Sequence, residues 1–224
     1  MRIGIIGAGN IGGTLARRLT TLGHDVAIAN SRGPQTLAAL ARETGATPVT
    51  VEEAARAGDV VIVTIPEKSV PRLPAGLFDG VSDDVIVVDT GNYYPQRDGR
   101  IDPIAQGTTE SRWVSDRLGR PVVKVFNSIY ARSLLERGMP RGTRGRIGLP
   151  GAGDNRRAKD VVIRLVEELG FDGMDAGSLD ESWRQQPGTP VYCTDLDAEG
   201  VRRALGEAKK ERPAGFRATA GAGR

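Results

Sequence analysis

The chain has 224 residues, 39% of them hydrophobic and 26% charged, which suits one large α/β domain or one domain with a small second lobe. Its net charge of +3 comes from 31 basic residues spread among 28 acidic ones, and no dense basic stripe interleaved with aromatics is present, which excludes nucleic acid as a partner. One cysteine, Cys193, and one histidine, His24, rule out an internal disulfide and a Cys/His metal cluster, so no metal is expected.

The apolar run Arg2 to Ile6 predicts a strand at the very start, which leaves no room for a cleavable signal peptide. No apolar run approaches the roughly 18 residues that span a bilayer. A cytoplasmic protein without a membrane partner is expected. Gly7-Ala8-Gly9-Asn10-Ile11-Gly12 follows the strand and opens a helical pattern to Leu22, the context a dinucleotide fingerprint needs. Gly7 permits the tight turn, Gly9 lets a pyrophosphate approach the backbone, and Gly12 lets helix pack on strand. After Gly23, Asp25 to Ala29 reads as a second strand ending at Asn30, Ser31 and Arg32. A helix from Pro34 to Thr44, a strand at Thr47 to Val49 and a helix from Val51 to Ala57 come next.

Asp59 to Pro66 is apolar almost throughout, as a parallel strand covered on both faces should be. Val85 to Asp89 is a further strand, and the polar, Gly- and Pro-bearing stretch from Gln96 to Gly107 reads as an exposed loop. A helix from Thr108 to Leu118 and a strand from Pro121 to Phe126 follow. Beyond them come a strand at Arg146 to Leu149, a helix from Lys159 to Leu169, a strand near Met174 and Asp175, and a last helix from Ala198 to Arg212. The regular alternation predicts an α/β fold, a doubly wound parallel Rossmann sheet with a smaller C-terminal α/β extension. The expected divisions are 1–118 for the dinucleotide-binding domain, 119–212 for a substrate-side lobe continuous with the sheet, and 213–224 for a disordered tail.

The end of the second strand selects the cofactor. An NAD site places Asp or Glu about 20 residues after the glycines, whereas Asn30, Ser31 and Arg32 stand there. Ser31 and Arg32 suit the 2′-phosphate of NADP; the alternative is that Arg32 merely caps a surface turn. Ligands bind at the carboxyl ends of such strands. Ile65 and Pro66 fall there and offer an apolar surface to the nicotinamide ribose. Asn92 and Asn127 fall there too, either to hydrogen-bond ribose or carboxamide or simply as turn residues. No catalytic acid or base stands out: His24 lies at the opposite end of the sheet, and Lys124, inside a strand, reads as a packing or edge residue. Hydride exchange between two cofactors makes little demand on such groups.

These residues, with Gly23-His24-Asp25, Thr64-Ile65-Pro66 and the distal Asp175-Ala-Gly-Ser-Leu179, resemble the NADP oxidoreductases that include NADPH-dependent reductases of the deazaflavin coenzyme F420. The resemblance reaches to about Asp197. It implies that Ala8, Gly9, Asn10 and Ile11 wrap the pyrophosphate, that Ser31 and Arg32 take the 2′-phosphate, and that Ile65, Ser69, Asn92 and Ala131 line the nicotinamide half. Thr36 stands where characterised members carry a second basic residue. The implied activity is hydride transfer between NADP(H) and F420, in a homo-oligomer that uses the exposed end of the sheet as an interface. The alternatives are an NADPH-dependent reductase of a small carbonyl, a flavin or a metal complex, and an NADP-binding protein without turnover. The basic run Arg132, Arg137, Arg141, Arg144 and Arg146, facing one acid, Glu136, either meets the acidic tail of F420 or is a solvated loop.

Overall fold

The computed structural model describes residues 1–218. Strand β1 (Arg2–Ile6) passes through the glycine loop into α1 (Asn10–Thr21), and β2 (Asp25–Ala29) returns beside it. A 3-10 turn at Pro34–Leu37 leads to α2 (Ala38–Thr44), β3 (Thr47–Pro48), α3 (Val51–Ala55) and β4 (Val60–Val63). A second 3-10 segment, Glu67–Arg72, precedes β5 (Ile86–Asp89), the one-turn helices α4 (Pro95–Asp98) and α5 (Asp102–Ala105), then α6 (Glu110–Leu118) and β6 (Val122–Lys124). The remainder is α7 (Ala131–Glu136), β7 (Gly148–Gly151), α8 (Arg156–Glu168), β8 (Asp172–Asp175), a 3-10 segment at Leu179–Gln185, α9 (Ala198–Glu207) and a 3-10 turn at Ala214–Phe216.

Six strands form one parallel sheet in the order β3-β2-β1-β4-β5-β6, and β7 and β8 pair separately. Ile5 lies opposite Ile28 on one side and Ile62 on the other, so the period-two side-chain alternation runs across the sheet in register. One face packs Ile3, Ile5, Ile62 and Val88 against Leu15 and Leu19 of α1 and Val162 and Leu165 of α8. The other packs Ile6, Val61, Val63 and Val87 against Ala54, Ala55, Leu77 and Phe78. Burial on both faces explains why β4 reads as an unbroken apolar run. The chain reverses its direction of strand addition between β1 and β4, and that switch point is where such sheets open a crevice.

Several expectations need correction. Gln96 to Gly107 is not an open loop: Pro95 and Pro103 start two short helices, Ile104 is buried, and the Tyr93 hydroxyl donates to Gly99 O and accepts from Ile101 N. Lys124 and Ala152 exchange backbone bonds of 2.8 and 3.0 Å at β6, and β3 is two residues ending in Pro48, which has no N–H to donate. Of the segment expected to be disordered, 213–218 is placed: Gln96 Nε2 donates to Gly215 O at 2.6 Å, and the Phe216 ring lies 6.3 Å from that of Tyr94. Residues 219–224 fall outside the described residues. Among the described residues no helix is long and apolar enough to cross a membrane.

Candidate functional site

Because β1, β2, β4, β5 and β6 run parallel, their carboxyl ends share one edge. At its centre is the glycine loop. A Cβ on Gly12 would sit 1.9 Å from Gly7 O, and one on Gly7 would sit 2.2 Å from Thr64 O, so these two glycines are forced by close packing. Gly9 differs: its Cβ would meet nothing within 4 Å, and as the N-cap of α1 it makes no side-chain cap bond. The first amides of a twelve-residue helix therefore have no side-chain cap, and their dipole end is positive. Gly9 and Asn10 are exposed, and Ala8 and Ile11 are half-buried beside them.

At the end of β2, Asn30 Oδ1 accepts from Arg32 N at 2.8 Å while its Nδ2 donates to Thr36 Oγ1 at 2.9 Å. Asn30 thus shapes the turn, and Thr36 serves as its anchor. Ser31 and Arg32 stay exposed, and neither side chain has a hydrogen-bond or ionic partner among the described residues. The loop holds a hydroxyl and a guanidinium out toward solvent with no carboxylate of its own, a donor set suited to a phosphate.

After β4, Ile65, Pro66 and Ser69 are half-buried and form one wall of the crevice. Opposite them, the expectation for Asn92 and Asn127 changes. Asn127 is 2% exposed; its Nδ2 donates to Asn92 Oδ1 at 3.1 Å and Gln185 O at 2.7 Å, and its Oδ1 accepts from Gln185 Nε2 at 2.9 Å. Asn92 Nδ2 donates back to Asn127 O. These bonds join β5, β6 and the Leu179–Gln185 segment, with Asn127 buried inside the wall and Asn92 half-buried with donor capacity to spare. The preceding Phe126 adopts φ 62°, a conformation a bulky residue enters only when its surroundings compel it. Ala131, half-buried, begins α7, and before it Tyr130 is 57% exposed.

Beneath this wall lies a buried charge cluster that the sequence does not announce. Lys124, expected as a packing or edge residue, is wholly enclosed, and its Nζ donates to Gly91 O at 2.7 Å and lies 3.4 Å from Glu110 and 3.6 Å from Asp89. Burial opposes its charge, but the carboxylates of Asp89 and Glu110 outweigh that and hold its pKa above the ordinary lysine value. Asp89 accepts from Ser111 Oγ at 2.5 Å and from Gly91 N at 2.8 Å. Glu67 is fully buried with neither carboxyl oxygen partnered. Burial first, and the neighbouring Asp89 next, raise its pKa well above the ordinary carboxyl value. A Cβ on Gly91 would lie 2.5 Å from Glu67 Oε1, which requires glycine there. Further out, the Tyr94 and Tyr192 hydroxyls bond to each other, and burial raises both pKa values. Cys193 N donates to Ser128 O at 2.8 Å, tying that segment to the end of β6.

His24 lies at the opposite edge, between the terminal amine and Glu168. The basic run does not line the crevice. Gly138 packs against Arg18, near the C-terminal end of α1, and Met139 N bonds to Gly170 O. Arg132 pairs with Glu136, Arg137 with Asp195, Arg141 with Glu167, and buried Arg146 with Glu167 and Asp172.

The sequence matches the family "NADP oxidoreductase coenzyme F420-dependent" over residues 2–93, a span that contains the glycine loop, Asn30 to Arg32, Ile65 to Ser69 and Asn92. The protein YjhV of Escherichia coli (strain K12) is 49% identical over 72 residues, which are 32% of this chain and 53% of that protein; the match thus spans about half the length of that curated relative. Among solved structures, the hypothetical protein SMa0349 from Sinorhizobium meliloti is 35% identical with a TM-score of 0.71, covering 86% of this chain and 93% of that one. A candidate F420-dependent NADP-reductase from Arthrobacter sp. FB24 is 23% identical with a TM-score of 0.62, covering 80% and 85%. An imine reductase from Pseudomonas sp., 17% identical with a TM-score of 0.53 over 86% of this chain and 57% of its own, shares the fold. With an open glycine loop, a Rossmann strand order and these relatives, the chain belongs to the coenzyme F420-dependent NADP oxidoreductase family.

Proposed function

We propose that this protein transfers hydride between NADP(H) and the deazaflavin coenzyme F420. The observation that carries this reading is the commitment of every ionisable side chain beneath the β4, β5 and β6 ends. Lys124, Asp89 and Glu110 are locked together, and Glu67 is sealed, so none of these four buried groups is free to protonate an alcohol oxygen. When bound, NADP(H) supplies or receives the hydride, a step in which the protein's part is binding and orientation. The amides of Gly9, Asn10 and Ile11 receive the pyrophosphate, Ser31 and Arg32 the 2′-phosphate, and Ile65 and Pro66 back the nicotinamide ribose. Lys68 and Arg97, both exposed at this edge, are the cations that would meet the acidic tail of F420, in place of the distant basic run. Mixing the protein with NADPH and oxidised F420 should bleach the deazaflavin absorbance; no bleaching over hours at high enzyme overturns the reading.

One observation favours a second reading, reduction of a small C=O or C=N acceptor. The half-buried Tyr94–Tyr192 hydroxyl pair is a proton source that such an acceptor would need. NADPH oxidation by carbonyl or imine substrates, lost in Tyr94→Phe and Tyr192→Phe, would select it.

A further inference from the structure

We propose that the cavity walled by the C-terminal segment is a second ligand site, built for a small organic anion carrying a carboxylate or phosphate beside an apolar body. The cavity holds about 380 Å³, a size suited to small molecules. It lies behind the Asn92 loop, between Tyr93, the Gly107–Thr109 turn into α6, and residues 210–218. None of the glycine loop, Ser31, Arg32 or Pro66 lines it, so it is separate from the dinucleotide crevice.

Its charge is one-sided. Arg100, Lys210, Arg212 and Arg217 line it, against Glu211. Arg100 pairs with Asp102 at 2.7 Å, Arg217 with Glu211 at 2.6 Å and Arg212 with Glu110 at 2.8 Å. Lys210 has no acid within 4.0 Å among the described residues, and each paired guanidinium retains further N–H groups. Lys210 is thus the one lining cation without a carboxylate among the described residues, and an anion entering the cavity would meet its ammonium together with the unused N–H groups of the three guanidiniums. Two donors of its lining residues, Arg212 Nη1 and Gln186 Nε2, lie sealed behind the wall without a hydrogen-bond partner. The Tyr93 ring, with the Arg212 guanidinium 5.5 Å from its centroid, supplies a flat apolar surface for the body of the ligand.

The test uses the full chain and two probes, inorganic phosphate and benzoate, titrated at fixed ionic strength against chloride while thermal unfolding is followed. Wild type should show a saturable rise in Tm with at least one probe, as binding to the native state alone requires. The probe that acts tells a phosphate from an aryl carboxylate. Arg32→Ala, which removes a cation of the dinucleotide crevice, should keep this response. Arg100→Ala with Lys210→Ala should raise the apparent Kd at least tenfold. If the double variant does not unfold cooperatively, Lys210→Met alone serves, since Lys210 is exposed and unpaired. No rise beyond chloride, a rise that survives the cavity substitutions, or one lost with Arg32→Ala overturns the proposal.

Discussion

At the scale of single residues, cofactor choice rests on Arg32. Its guanidinium is exposed and has no ionic partner among the described residues, so nothing inside the protein compensates it and nothing inside is disturbed by its removal. Arg32→Ala should leave Tm unchanged and raise the Kd for NADPH about 10- to 100-fold, the loss of one or two charge-assisted bonds. The Kd for NADH, which lacks the 2′-phosphate, should move little, and equal effects on both would sink the assignment. Glu67 gives the opposite case, a fully buried carboxyl with neither oxygen partnered among the described residues. Its folded pKa lies above its unfolded one, so the folded state binds the proton more tightly and stability falls as pH rises from the ordinary carboxyl range toward the folded value. Glu67→Gln copies the protonated shape and removes that penalty. Its Tm should match wild type near pH 4 and exceed it progressively by pH 8; a variant less stable than wild type at pH 8 would show that Glu67 is ionised and paired. The sequence makes Arg32 legible because the fingerprint fixes where a discriminating residue must stand. Asn127 and Glu67 are not legible, because their roles depend on Gln185 and Asp89, which only the folded chain brings near.

At the scale of elements, α1 and its loop separate folding from binding within three residues. Gly12 is pressed on Gly7 O, so Gly12→Ala must push α1 off β1, whereas Gly9→Ala enters empty space with an ordinary φ of −78°. Gly9→Ala should therefore unfold within about 1–2 °C of wild type, a surface-like change, yet bind NADPH at least about tenfold more weakly, because the methyl occupies the approach of the pyrophosphate. Gly12→Ala should lower Tm sharply. If both lose stability alike, the open space at Gly9 has no role. The strands and this helix are legible because burial on two faces leaves continuous apolar runs and burial on one leaves a 3.6-residue stripe. The helices α4 and α5, four residues each, are shorter than any period can reveal. They exist through Pro95, Pro103 and the hydroxyl of Tyr93.

At the scale of the molecule, the chain closes on itself through Arg212. This residue, expected as the last of the helix from Ala198, lies past the end of α9 at Glu207; it is 17% exposed at its side chain and bridges Glu110, which is fully buried, to Gln186 Oε1 at 2.7 Å. Glu110 in turn faces Lys124, and Lys124 holds Gly91 at the crevice wall. A tail residue is thus connected to the nicotinamide side of the site through three side chains. Nothing local marks Arg212 for this, since its partner lies a hundred positions earlier. Arg217 offers an internal control: it pairs with Glu211, but both are largely exposed, and exposed pairs contribute about 0–1 kcal/mol. Removing one partner of a buried pair costs about 3–5 kcal/mol. Allowing for the partial exposure of Arg212 and for the charge Lys124 still offers Glu110, Arg212→Ala should cost about 2–3 kcal/mol, or about 4–10 °C in Tm for a chain of this size. Arg217→Ala should change Tm by less than about 2 °C. Arg212→Lys should recover only part of the loss, because one ammonium cannot reach Glu110 and Gln186 with the fork of a guanidinium. Equal Tm values for the two alanine variants would mean that the tail rests on the surface and takes no part in holding the crevice.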